Sequence, residues 1–132
     1  MSLQGNSRGP LGSAIGVNLN AVGDTFIPLN VGEYIPRNVT ITNVSTSLAA
    51  SSATIGMYTA ASAGGTAIVT PATATTLTGP TVFKDGTIAA ATTVFTPTYD
   101  TTRKLYGVYV RVGVAHGSAA TCDVHLFGDA VK

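Results

Sequence analysis

The residues able to build a reactive site are few: His116 and His125, the single cysteine Cys122, and six acids. Asp123 and His125 lie two positions apart, so on a strand their side chains share a face and could approach one metal ion. A metal site needs at least one further ligand, and no near neighbour in the sequence supplies it, so the pair reads as part of a solvated strand face. Cys122 falls on the opposite face from His125, and no Gly-x-Ser-x-Gly occurs to pair a nucleophile with a base. In this phase the cysteine reads as a small buried hydrophobe. The acids Asp24, Glu33, Asp85, Asp100, Asp123 and Asp129 fall mostly in expected turns, where aspartate caps its own backbone. Ala63-Gly64-Gly65-Thr66 lacks the lysine and the strand-to-helix setting of a phosphate loop. The expectation is a non-enzymatic chain with no cofactor and no metal.

These residues are carried by two stretches with the cleanest period-two pattern in the chain. In Leu105 to Val114, Tyr106, Val108, Val110, Val112 and Val114 fall on one side, and Leu105, Gly107, Tyr109, Arg111 and Gly113 on the other. In Thr121 to Ala130, Cys122, Val124, Leu126 and Gly128 face inward and Asp123, His125, Phe127 and Asp129 outward. Gly117 and Ser118 break the pattern between them, which predicts a hairpin of two long antiparallel strands.

The rest of the chain reads as shorter strands packed on or beside that hairpin. Residues 1–13 read as a flexible N-terminal arm, because Gly5, Gly9, Pro10 and Gly12 oppose regular structure, and residues 14–132 as a single domain. Gly9 to Ser13, GPLGS, also matches the remnant that a tag-removing protease leaves, although such cleavage would start the chain at that glycine. Ile15, Val17 and Leu19 alternate in one strand. Phe26, Ile27 and Leu29 supply core in the next, which Pro28 places at an edge or bulge. A strand over Asn38 to Leu48 carries an expected bulge near Asn43, and Ala53, Ile55 and Met57 line up inward in another. A glycine turn at Ser62 to Thr66 leads to a short strand, and Leu77 is the one large apolar residue of a Thr/Ala/Pro connection. Asp85-Gly86 predicts a type I′ hairpin turn, Thr92 to Tyr99 a further strand, and Asp100 to Arg103 a polar turn. Eight or nine short strands without a helix predict an all-β fold: a two-sheet antiparallel sandwich of jelly-roll or Greek-key type.

Composition supports this and narrows the function. Only 10% of the 132 residues are charged and the net charge is +1. One Glu, one Gln and two Met leave few long helix formers among the many Thr, Ala, Val, Gly and Ser. Arg37, Lys84, Arg103, Lys104 and Arg111 are scattered without interleaved aromatics, so nucleic acid is not an expected partner. No apolar run is long enough for a transmembrane helix, and no apolar segment follows Met1 as a secretion leader requires, so no membrane partner is expected. Few charges and many small residues suggest a surface partly covered by other proteins. Leu105, Tyr109, Phe127 and Val131 are large residues on the expected non-core side. They are either ordinary strand formers with half-exposed rings or, with Arg111 and His125, the lining of a subunit contact surface.

The stretches GVNLNAVGDTFIPL and YIPRNVTITNVSTSLAASSATIGMYTAASAGGTAIV resemble small virion proteins of tailed bacteriophages. A "GD-x-x-I" opening, a "VTITN-x-S" strand, an "A-x-IG-x-YTA" strand and a Gly-Gly turn carry the resemblance. It covers Ile15 to Val69. Similar proteins include capsid decoration, or cement, proteins, often trimeric. The resemblance implies a homo-oligomer, a trimer foremost, made in the host cytoplasm. It would sit on the virion surface and clamp neighbouring major capsid proteins. On that reading the arm and the outward face of Leu105, Tyr109, Arg111, His125, Phe127 and Val131 make the capsid contacts, and deleting residues 1–13 weakens shell binding while leaving the fold intact. The alternative is a carbohydrate- or receptor-binding sandwich of a tail fibre or cell surface, although the chain has no tryptophan to stack on a sugar.

Overall fold

The computed structural model describes residues 8–89 and 92–132. They form nine strands and, among the described residues, no helix: β1 (Arg8–Asn18), β2 (Gly23–Pro28), β3 (Tyr34–Thr42), β4 (Thr54–Ala60), β5 (Gly64–Thr73), β6 (Lys84–Asp85), β7 (Thr98–Asp100), β8 (Leu105–Val114) and β9 (Thr121–Ala130). One sheet runs β1-β9-β3-β6 and the other β2-β8-β4-β5, with β7 pairing to β8. The antiparallel pairs are nested: β1 with β9, β2 with β8, β3 with β6, and β4 with β5. The chain is thus one long folded hairpin rolled into two sheets, which is the jelly-roll arrangement.

The alternation of apolar residues places the core between the sheets. Val108, Val110 and Val112 of β8 face Cys122, Val124 and Leu126 of β9 in one buried cluster with Val39, Ile41, Ile55, Met57, Leu48 and Leu77. Both long strands form over the expected residues with the expected middle faces, but they do not pair with each other. β8 lies in the five-stranded sheet and β9 in the four-stranded one, so residues 115–120 cross between sheets and the expected hairpin is absent. At its ends β8 departs from the pattern, with Tyr106 and Val114 about half exposed.

Three further expectations change. Of the residues expected as an arm, Arg8 to Ser13 belong instead to β1, which pairs with β9, and residues 1–7 lie outside the described residues. Glycine here permits contact instead of preventing structure. A side chain at Gly12 would run into Ile27 and Leu29 on the other sheet. Deleting residues 1–13 would therefore remove half of β1, and the fold would not be left intact. In the same strand Ile15 is exposed while Ala14 and Val17 are buried, because Gly16 at φ 70° adds a bulge and shifts the phase. Asp85-Gly86 does not turn a hairpin. Asp85 pairs with Thr40 of β3, Gly86 N donates to Val39 O, and Ile88 then bridges to Val69 of β5, so this segment closes one side of the sandwich.

The third strand starts at Tyr34 and ends at Thr42. The expected bulge at Asn43 is instead the strand's end, with φ at 53°, and the register shift lies between Pro36 and Asn38. The segment 92–99 contributes only a bridge from Phe95 to Tyr34 and the start of β7. Pro28 does sit in an edge strand, and Asp100 to Arg103 is a polar turn between β7 and β8.

Every long edge is interrupted. β1 has register shifts near Leu11 and Ile15, β5 has three along its pairing with β4 and contains Pro71, and β2 is short and ends in Pro28. Such edges resist strand addition by another chain. An association of this protein would therefore use a face or an end.

Candidate interaction surface

The six residues expected to form one contact surface do not come together. Tyr109, Arg111 and Leu105 lie on the outer face of the β8 sheet, whereas His125 and Phe127 lie on the outer face of the β9 sheet, with Val131 just past its end. Several are also engaged internally. Both ring nitrogens of His125 are used, Nδ1 with Ser13 Oγ at 2.8 Å and Nε2 with Thr42 Oγ1 at 3.1 Å, which ties β1 and β3 to β9. Asp123, beside it, accepts from Gly16 N at 2.9 Å and Asn43 Nδ2 at 3.2 Å. Among the described residues no group of three His, Cys, Asp or Glu converges.

Tyr109 is buried although it points away from the core. Its hydroxyl donates to Asp100 Oδ2 at 2.6 Å, and its ring meets Phe26 edge-on at 5.2 Å. Asp100 also accepts from the backbone N–H groups of Thr102 and Arg103, and from the Arg103 guanidinium, which lies over the Phe26 ring. The hydrogen bonds from Tyr109 and from the Arg103 backbone hold the Asp100 carboxyl below the ordinary range. Burial, reinforced by that carboxylate, pushes the Tyr109 phenol up to about 12. Arg111 pairs with Asp24 at 3.5 Å, and Asp24 accepts from Ser62 N at 2.8 Å. β8 lies between β2, which carries Asp24, and β4, which leads to Ser62. That bond therefore brings the β4–β5 turn across the outer face.

Two serine–histidine contacts were invisible in the sequence because their partners lie far apart in the chain. Besides Ser13 with His125, Ser51 Oγ meets His116 Nδ1 at 2.7 Å. A serine nucleophile needs a histidine oriented by an acid through its other nitrogen. His125 meets Thr42 there instead. Ser51 is itself buried and already accepts from Ala53 N, so both contacts tie segments of the fold together. Cys122 is buried as expected, with its thiol pushed up to about 12 by desolvation and then by Asp123.

Ile15, Val22, Phe83, Val94 and Val114 are exposed, and a further open apolar patch, at one end of the sandwich, borders a cleft. A cleft of about 390 Å³ is lined by Pro28, Leu29, Asn30, Lys104, Leu105 and Tyr106. Beside it Tyr99 and Tyr106 pair across the β7–β8 hairpin with ring centroids 4.8 Å apart. Tyr99, Leu105 and Tyr106 are each about half exposed. Of the expected contact residues, Leu105 alone belongs to this patch. By its phase Tyr106 belongs with the core valines of β8, yet it is exposed. A four-residue turn after Asp100 would have placed Tyr99 opposite Tyr106, and that spacing is the signal that marks the pair.

No family model, no curated protein and no solved structure matches this chain.

Proposed function

We propose that the protein is a structural virion subunit, a capsid decoration protein. It would bind the outer shell and hold neighbouring major capsid proteins together as a homotrimer. The observation that carries this reading is the distribution of committed and uncommitted side chains. The polar and charged groups of both outer sheet faces largely bind one another, while large apolar residues are left open at one end around Tyr99, Leu105 and Tyr106. Such an arrangement suits adhesion to another protein surface better than turnover of a substrate. The nested jelly roll is an architecture used by viral capsid and lectin domains, and the phage-like strand motifs in Ile15 to Val69 favour the former use. The mechanism is mass action: a subunit that binds only the assembled shell stabilises it, and a symmetric trimer adds avidity.

The test pairs light scattering with co-sedimentation on purified empty capsids of a tailed phage. A trimer that pellets with shells and raises their melting temperature is the expected result. A monomer that stays in the supernatant would overturn the proposal.

A further inference from the structure

The cleft between the β2–β3 connection and the β7–β8 hairpin has features beyond an apolar contact. Its volume, about 390 Å³, is within the range of small-molecule sites, roughly 300–1,000 Å³. Its walls combine the buried Leu29 with Pro28, Leu105 and the Tyr106 ring. Two of its lining residues, Asn30 and Lys104, carry an amide and an ammonium. Neither has a hydrogen-bond or ion-pair partner among the described residues. The lip is also tied by hydrogen bonds to the β7–β8 turn. Lys104 is held at φ 58°, a left-handed conformation that is unfavourable for a residue with a side chain, and its N–H donates to Asp100 O at 2.7 Å. Asp100 in turn is fixed by Tyr109, Thr102 and Arg103. The buried network thus sets the position of Lys104, Leu105 and Tyr106 before any ligand arrives, which lowers the ordering cost of binding.

An exposed tyrosine ring, an amide that both donates and accepts, and one free cation are together complementary to a particular chemistry. A sugar ring lays its C–H face on an aromatic surface and offers hydroxyls to an amide, and a carboxylate on it would meet the ammonium. We propose that this cleft binds a saccharide bearing a carboxylate, with Tyr106 as the stacking platform, Asn30 reading hydroxyls and Lys104 pairing with the acid. Tyr99 supports the platform by packing on Tyr106, and Asp100 is a positioning residue. The cleft shares Leu105 and Tyr106 with the end proposed for capsid contact, so sugar binding is measured on the free protein and shell binding separately by co-sedimentation.

The experiment is a titration of the whole protein, followed by amide NMR, with glucuronic acid and N-acetylneuraminic acid and with neutral glucose and N-acetylglucosamine. Shifts confined to residues 28–30 and 99–106 are expected, with the acidic sugars bound more tightly. Lys104→Gln should weaken the acidic sugars about two- to fivefold and abolish their salt dependence, as for an exposed ion pair. Tyr106→Ala should weaken all ligands about tenfold or more. Because Lys104 and Tyr106 are exposed, both variants should melt close to the wild type, and a melt of each checks this. The proposal is overturned by an absence of shifts at millimolar sugar, by shifts centred elsewhere, or by acidic and neutral sugars binding equally well to wild type and Lys104→Gln.

Discussion

At the scale of single residues, the two buried phenols differ in what surrounds them. Tyr109 has a carboxylate partner, whereas Tyr34 is fully buried, stacks on Phe95 and finds no hydrogen-bond partner for its hydroxyl among the described residues. A lone buried hydroxyl costs about 1–3 kcal/mol against a paired one, so removing it relieves a penalty. Tyr34→Phe is expected to hold or raise stability, by up to about 1 kcal/mol in a urea titration. Its own ionisation is pushed upward by burial, which keeps it neutral throughout the useful pH range. Asp100→Asn should act oppositely. The depressed carboxyl of Asp100 contributes stability that is present above the ordinary carboxylate pKa, about 3.9, and lost as pH falls through the lower folded value. The variant should melt roughly 5 °C below wild type between pH 5 and 8. The gap should narrow as the pH drops below about 4, and a constant gap would show that charge is not what the site uses. For Tyr109 the sign reverses. Its phenol is raised to about 12, so the stability it contributes is intact below the ordinary value near 10 and fades as pH rises through 12.

At the scale of elements, the β4–β5 connection is built against local preference. Ser62 and Ala63 have φ of 58° and 60°, and Gly64 N donates to Ala61 O, which makes a type I′ turn without glycine at its centre. Each left-handed residue with a side chain costs roughly 1–2 kcal/mol. The Asp24 carboxylate, accepting from Ser62 N, holds the turn against that cost. Ala63→Gly should therefore stabilise the protein by about 1 kcal/mol, read as a higher urea midpoint with an unchanged slope. A lower midpoint would mean that the turn is not strained. Here the sequence misleads, because Gly64-Gly65 marks the turn region correctly and yet lies one step beyond the turn's centre. The same holds for β1, where Gly16 flips the phase that Ile15, Val17 and Leu19 suggest. Alternation along a strand is legible because each residue reports its own face. Bulges are not, because they depend on which partner strand the residue meets. Asp100 shows the middle case: its capping of its own turn was readable, whereas its bond to Tyr109 came only with the hairpin's register.

At the scale of the whole molecule, the sequence could not distinguish a hairpin from a sheet crossover at residues 115–120, since six residues suit either. The difference is large for folding. In a hairpin β9 would form locally with β8, but in the jelly roll it is the inner strand between β1 and β3. The four-stranded sheet therefore cannot assemble until β9 is available, and its β1–β9 pairs join residues 8–18 to residues 121–129. Leu126, Val124 and Cys122 carry the centre of the core from that strand, each at most 1% exposed. Contacts of such long sequence separation slow folding because loop closure precedes the gain from burial. Refolding by stopped flow should take milliseconds to seconds, as for other all-β domains of non-local topology. A chain ending at residue 120 should show no cooperative melt, since it lacks the inner strand of one sheet. Leu126→Ala should instead keep the fold and lose about 2–5 kcal/mol of stability. If the shortened chain melted cooperatively with native-like strand content, the remaining strands would suffice for a core, and the nested pairing would not be what closes the sandwich.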